Sequence, residues 1–135
     1  MNHSILYISS AIPEISRSEI DEIMDISYTN NTKLDITGFL VFNRGNFLQL
    51  LEGKPKAVQG IYQRIITDIR HRNIMTVLDQ KTPQKSFDYY HSGFKICDNP
   101  LLVEELKSYI KLVRTLDAPD HNKTFNLVEG ILNSM

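Results

Sequence analysis

Gln49 sits in the middle of the apolar run Phe47-Leu48-Gln49-Leu50-Leu51. Strand side chains alternate between faces, so Gln49 shares a side with Phe47 and Leu51. A carboxamide there carries an acceptor at one end and donors at the other, and burying them unmet is costly. Tyr7 is mid-strand in Ile5-Leu6-Tyr7-Ile8-Ser9, on the same side as Ser9. Asn31 follows Asn30 just beyond a first amphipathic segment, and Arg64 and Asp68 stand four apart near the inner stripe of a second helix. Grouped around one gap, these amides, phenol, guanidinium and carboxylate would bind a planar heterocycle with alternating donors and acceptors. Residue types alone leave a second reading open. In it, Tyr7 and Gln49 form a structural bond tying two strands, Arg64–Asp68 is a surface ion pair, and Asn31 caps a helix.

The elements that must position these groups follow from periodicity. Ile5 to Ser9 is a short strand. Ser16 with Glu19 fits a capping box, starting a helix whose stripe is Ile20, Ile23, Met24 and Ser27 and which the Asn30-Asn31 pair ends. Leu34 to Phe42 is a second strand. The Asn43-Arg44-Gly45-Asn46 hairpin turn joins it to a third, Phe47 to Leu51. Glu52-Gly53-Lys54-Pro55 breaks that strand and opens a second helix, with Val58, Ile61, Tyr62, Ile65, Ile66 and Ile69 at helical spacing. Asn73 to Leu78 and Phe87 to Ile96 are strands four and five. Asn99-Pro100 starts a third helix. Asp117-Ala118-Pro119-Asp120 separates it from a fourth, marked by Phe125, Val128, Ile131 and Leu132. This order predicts an α+β, ferredoxin-like domain with a five-stranded mixed sheet. The two strand-linking helices cover one face and the last two cover the other. Strands one and three are then neighbours, which makes Tyr7 and Gln49 cross-strand partners.

Composition narrows the function. The 135 residues, 41% hydrophobic and 23% charged, suit one globular domain. A net charge of −1 favours neither nucleic acid nor an anionic membrane. No long apolar run predicts a membrane span, and Met1-Asn2-His3-Ser4 does not read as a signal peptide, so the expected location is cytoplasmic. The single cysteine, Cys97, is expected to be a packing residue. No metal site is expected.

Four segments together resemble the BLUF family, blue-light sensors using flavin adenine dinucleotide (FAD). They are Leu6-Tyr7-Ile8-Ser9, Asn31 to Gly38, Phe47 to Gly53, and Asp68-Ile69-Arg70-His71-Arg72-Asn73-Ile74. The resemblance runs from about residue 4 to residue 96, with the motifs in order and at the family's spacing. It implies a flavin held between the first two helices by residues 1–97, with residues 98–135 as a helical extension packed on the same domain. Tyr7 then matches the photoactive tyrosine and Gln49 the switching glutamine. Asn31 matches the residue bonding the flavin ring edge, and Asn30 before it also lines the site. Arg64 and Asp68 match polar contacts to the pyrimidine side, Ile23 and Ile65 the aliphatic walls, and Ser9 a nearby hydroxyl. His71 is counted with the cofactor-binding residues, although on residue type it is a polar loop residue or a pH sensor. Arg70-His71-Arg72 reads either as a contact to the flavin phosphates or as a solvated turn.

The implied activity is photoreception, not catalysis. Tyr7 gives an electron, its proton travels through Gln49, and a changed hydrogen-bond pattern leaves a red-shifted state for a partner to read. The expected partners are further copies of the chain or a response-regulator-like or transcriptional protein. Tyr90 and Ser92 stand where many members carry Trp and Met, so a tryptophan switch is excluded and Ser92 is a candidate partner of Gln49. A flavin-dependent oxidoreductase and a cofactor-free interaction domain are the competing functions.

Overall fold

The computed structural model describes residues 1–83, 93–115 and 122–135. Its elements are β1 (Asn2–Ala11), α1 (Arg17–Lys33), β2 (Thr37–Asn43), β3 (Asn46–Gly53), α2 (Pro55–Ile66), β4 (His71–Thr82), β5 (Phe94–Cys97), α3 (Pro100–Thr115) and α4 (Asn122–Ser134). The strands form one sheet in the order β4-β1-β3-β2-β5. Its pairs are antiparallel except β2 with β5, so the sheet is mixed as expected. The first part of the expected fifth strand, with Tyr90, His91 and Ser92, lies outside the described residues, as does the Asp117–Asp120 break.

Local chemistry sets most boundaries. The Ser16 hydroxyl accepts from the Glu19 N–H, and the Glu19 carboxylate accepts from the Ser16 N–H, each at 3.1 Å, which closes the capping box of α1. The β2–β3 connection puts both Arg44 (φ 52°) and Gly45 (φ 79°) in the left-handed region. That is the two-residue hairpin geometry whose twist matches the strands. Gly38 is required by proximity: a Cβ there would stand 2.1 Å from the Leu50 carbonyl oxygen. Asn99 Oδ1 accepts from the Leu102 N–H at 3.0 Å, capping α3 ahead of Pro100.

Three expectations need correction. The Asn30-Asn31 pair does not end α1, which continues to Lys33 and leaves Asn31 buried within its last turn. β3 does not break at Glu52. It runs on to Gly53, and Glu52 is wholly buried. Helix α2 stops at Ile66, where the Thr67 hydroxyl turns back onto the carbonyls of Gln63 and Arg64 and competes with helical bonding. Asp68 and Ile69 therefore lie beyond the helix, and Ile69 is 86% exposed instead of facing inward.

Apolar layers cover both faces of the sheet. Leu6, Phe39, Leu48 and Leu50 pack with Leu106, Ile110, Phe125 and Val128 of α3 and α4, together with Cys97. Ile5, Leu40, Phe47 and Leu51 pack with Ile20 and Met24 of α1 and Val58 and Ile61 of α2. This is the expected division of helices between faces.

Candidate functional site

Tyr7 and Gln49 are direct cross-strand partners in the β1–β3 register. The Gln49 Nε2 group donates to the Tyr7 hydroxyl at 2.6 Å. The opposite end of the amide, Oε1, receives a longer contact from Asn31 Nδ2 at 3.5 Å. All three side chains are buried. Among the described residues the Asn31 Oδ1 acceptor has no partner, so one buried acceptor is left unsatisfied at the gap, which is costly unless a ligand donates to it. Burial pushes the Tyr7 phenol well above its ordinary range. The Gln49 bond works against that shift, and Tyr62 and Asp68 add to it. Tyr7 is therefore held neutral, with its proton available for transfer.

These groups open into a cleft between α1 and α2, lined by apolar side chains with a few convergent polar groups, as small-molecule sites are. Ile23, Asn30 and Asn31 of α1, Arg64 and Ile65 of α2, and Tyr7, Gln49, Asp68 and His71 all line it. Among the expected site residues, Ser9 alone does not. It is buried beside the cleft, with its hydroxyl 2.7 Å from His71 Nδ1.

That contact also corrects the reading of His71 as a loop residue. His71 begins β4, and its Nε2 lies 2.7 Å from the Ile65 carbonyl. A carbonyl only accepts, so Nε2 donates to Ile65, while Nδ1 shares a hydrogen bond with the Ser9 hydroxyl. The ring thereby ties β1 and β4 to the end of α2, next to the aliphatic wall. The Arg64–Asp68 surface ion pair of the alternative reading does not form. Asp68 takes a two-pronged bond from Arg70, with Nη2 at 2.6 Å and Nε at 2.9 Å, while Arg70 also reaches Glu22 at 3.2 Å. Bonding to Arg70 holds the Asp68 carboxyl below its ordinary range. Arg64 lines the cleft from an exposed position. The Arg70-His71-Arg72 run is therefore no simple solvated turn, because its first two members are bonded.

The cleft has further walls that the residue pattern does not single out as site residues: Ile26, Ser27, Leu40, Phe47 and Ile61; Arg70, from the run read as a flavin contact or a solvated turn, lines it too. Ser27 falls on the inner stripe of α1, where a core position and a cleft wall share one periodicity. Tyr62 packs on Tyr7 with ring centroids 5.6 Å apart, and its hydroxyl bonds to Thr76.

Chemically, this is a neutral phenol bonded to a reversible amide, with a second amide and an open acceptor beyond it. Such a set fits the edge of a ring system carrying both donors and acceptors. The BLUF family profile, described as sensors of blue light using FAD, matches residues 3–93. The chain belongs to the BLUF family. Over 84 residues it is 36% identical to the blue light- and temperature-regulated antirepressor BluF of Escherichia coli K12, covering 62% of this chain and 21% of that protein. A bacterial light-regulated adenylyl cyclase superposes with a TM-score of 0.66 at 29% identity, over 85% of this chain and 34% of that one. The dark-state structure of the BLUF protein BlrB superposes with a TM-score of 0.68 at 24% identity, over 99% of this chain and 97% of that one, and supports the fold. The chain thus spans about a fifth of the antirepressor's length and a third of the cyclase's. The family's cofactor is FAD. The open Asn31 acceptor and the Gln49 amide make this cleft fit a flavin edge.

Proposed function

We propose that this chain is a blue-light sensor that holds FAD in the α1–α2 cleft and acts through a partner protein, not as an enzyme. Asn31 and Gln49 would bond the polar edge of the ring, with Asn30 beside them. Ile23 and Ile65 would flank its faces. Arg64 and the Arg70-braced Asp68 would meet its pyrimidine side, and His71, held by Ser9, would close the cleft beside Ile65. Bound there, the flavin supplies a blue-light absorber that becomes a strong oxidant when excited.

The residues then do the following work. Tyr7 would give an electron to the excited flavin. Because Gln49 Nε2 donates to the Tyr7 hydroxyl at 2.6 Å, the amide would take the phenol's proton only through its Oε1 end, and electron and proton would return to Tyr7 on recombination. Turning or tautomerising that amide exchanges its donor and acceptor ends with little change of shape. In a buried site, such an exchange is strong enough to bias a two-state element. The observation that carries this reading is the buried Tyr7–Gln49–Asn31 chain ending on an unpartnered acceptor.

The sensor's output is read by another protein or by further copies of this chain. Leu101 (70% exposed) and Leu112 (57% exposed) on α3 offer apolar contacts for either. A visible spectrum under blue light tests the assignment. The purified protein is expected to be yellow, to shift red on illumination and to recover in darkness. Tyr7→Phe and Gln49→Leu should retain the flavin and lose the shift. A colourless protein, or a shift that survives both substitutions, overturns the reading.

A further inference from the structure

Among the described residues, Tyr7–Gln49 is one of three side-chain bridges between β1 and β3; Ser10 and Asn46 form a part-buried one at the hairpin end, and Ser4 and Glu52 a fully buried one. Three residues along each strand, Ser4 pairs with Glu52 in the same register. The Ser4 hydroxyl donates to Glu52 Oε2 at 2.8 Å. An odd spacing reverses the face, so the Ser4–Glu52 bridge lies under α3 and α4 with Leu6, Leu48 and Leu50. Ser4 is 1% exposed and Glu52 0%. β2 reaches the same point, where the Thr37 hydroxyl donates to the Glu52 carbonyl at 3.4 Å. Tyr109 of α3 is half-buried against this layer and meets Phe125 of α4 edge-on, with centroids 6.3 Å apart. Alternation along β3 turns Glu52 to the sheet face against which Tyr109 packs, and burial, with the Glu52 carboxylate after it, pushes the Tyr109 phenol upward.

A carboxyl group in an otherwise apolar layer needs a structural reason, because an apolar side chain would pack there without desolvation cost. Apolar contacts tolerate small sliding, since dispersion has little directionality. A hydrogen bond to a buried carboxyl group does not, because it weakens steeply with distance and angle. Two bridges on one strand pair feel the same displacement of β3 against β1. We propose that the Ser4–Glu52 bridge, on the sheet face that α3 and α4 cover, is the output contact through which a change at Tyr7–Gln49 crosses the sheet to α3. Glu52 is a positioning residue in this role. The proposal rests on the light-sensing reading of Gln49 and adds the route by which the far face learns of it.

Amide hydrogen exchange in α3 around Tyr109, measured on the full chain in darkness, tests the bridge. Gln49→Leu is expected to change that exchange by about five-fold. The same substitution in a Glu52→Leu background should leave α3 exchange unchanged, while a Glu52→Gln background, which keeps an acceptor for Ser4, should restore the response. Tyr109→Phe carries the same comparison should Glu52→Leu not fold. Under blue light, Glu52→Leu should keep the red shift and lose the light-induced change in α3. Equal effects of Gln49→Leu in the wild-type and Glu52→Leu backgrounds would overturn the bridge. A wild-type spectrum indifferent to blue light would overturn the sensing reading instead.

Discussion

Beneath α3 and α4, β1 and β3 present Leu6, Leu48 and Leu50, and the helices return Leu106, Ile110, Phe125 and Val128 to fill the layer. On the opposite face, the same two strands present Tyr7 and Gln49, and α1 returns Asn31, leaving a cleft. Alternation along two strands thus produces a filled face and an open one from adjacent residues. The filled face can supply stability through close packing. The open face holds a buried acceptor without a partner among the described residues, a liability in a core and an asset in a binding site. What differs is which residues the helices bring, and the faces should therefore fail in different ways.

The largest effect belongs to the filled face. Phe125 is 0% exposed and packs edge-on with Tyr109. Phe125→Ala should lower stability by about 3–5 kcal/mol, the usual loss for a buried aromatic that leaves a cavity. Chemical denaturation measures it. A light-induced spectral shift should persist in whatever fraction stays folded. A loss under 1 kcal/mol, by the same rule, would mean that α4 is not a packing layer.

Asn31→Leu makes the converse cut on the open face. It removes an unpartnered buried acceptor but also the long 3.5 Å contact to Gln49 Oε1, two opposed effects that should leave the stability of the flavin-free protein within about 1 kcal/mol of the original. Flavin affinity should fall by about ten- to a hundred-fold as the ring edge loses its partner. Flavin titration and a melting curve on the same sample read both quantities. A matched loss of stability and affinity would show that the open face is only a core.

Part of this contrast is visible in the amino-acid string. The Tyr7–Gln49 pairing is legible because alternation and strand order are both local patterns, and together they fix which residues meet. Ser27 is legible as an inward residue but not as a cleft wall, since both share the inner stripe of α1. Asp68 reads as helical because Thr67-Asp68-Ile69 continues a helical pattern, and only the Thr67 hydroxyl's return to Gln63 and Arg64 shows where α2 stops. Glu52 was the hardest case. A charged residue before Gly53 and Pro55 reads as an exposed break, and its burial depends on Ser4 and on helices far along the chain. Local signals therefore reach the side chains that strands pair directly, but not those whose environment is assembled by the last helices.

Alkaline pH sharpens the comparison at Tyr7. Burial raises its phenol above the ordinary value of 10.0 in the folded state. The unfolded chain therefore loses this proton first as pH rises. The stabilisation is complete below pH 10 and is lost above it, on the way to the folded value. The slope from one such group is at most about 1.4 kcal/mol per pH unit. Tyr7→Phe should make the loss of stability above pH 10 shallower, read as denaturation midpoints across that range. Tyr109, also shifted upward, leaves part of the alkaline slope in place. An unchanged slope in Tyr7→Phe would mean that the phenol is not sealed from water.

The smallest effect is expected where the open face meets solvent, at Asp68 and Arg70. Their side chains are 26% and 22% exposed, and the two-pronged contact holds the carboxyl below its ordinary 3.8. A lowered folded value means that the stabilisation is present above pH 3.8 and disappears as pH falls through the folded value. With both groups partly in water, the pair should contribute about 1 kcal/mol at neutral pH. Arg70→Leu should remove that contribution and reduce the fall of stability below pH 4. It should also lower flavin affinity, because Asp68 would no longer be braced at the cleft's edge. Acid denaturation and flavin titration together decide whether the pair is only structural or also supports the site: a stability loss with unchanged flavin affinity would assign it to the scaffold and would move the functional boundary of the open face inward, to Asn31 and Gln49.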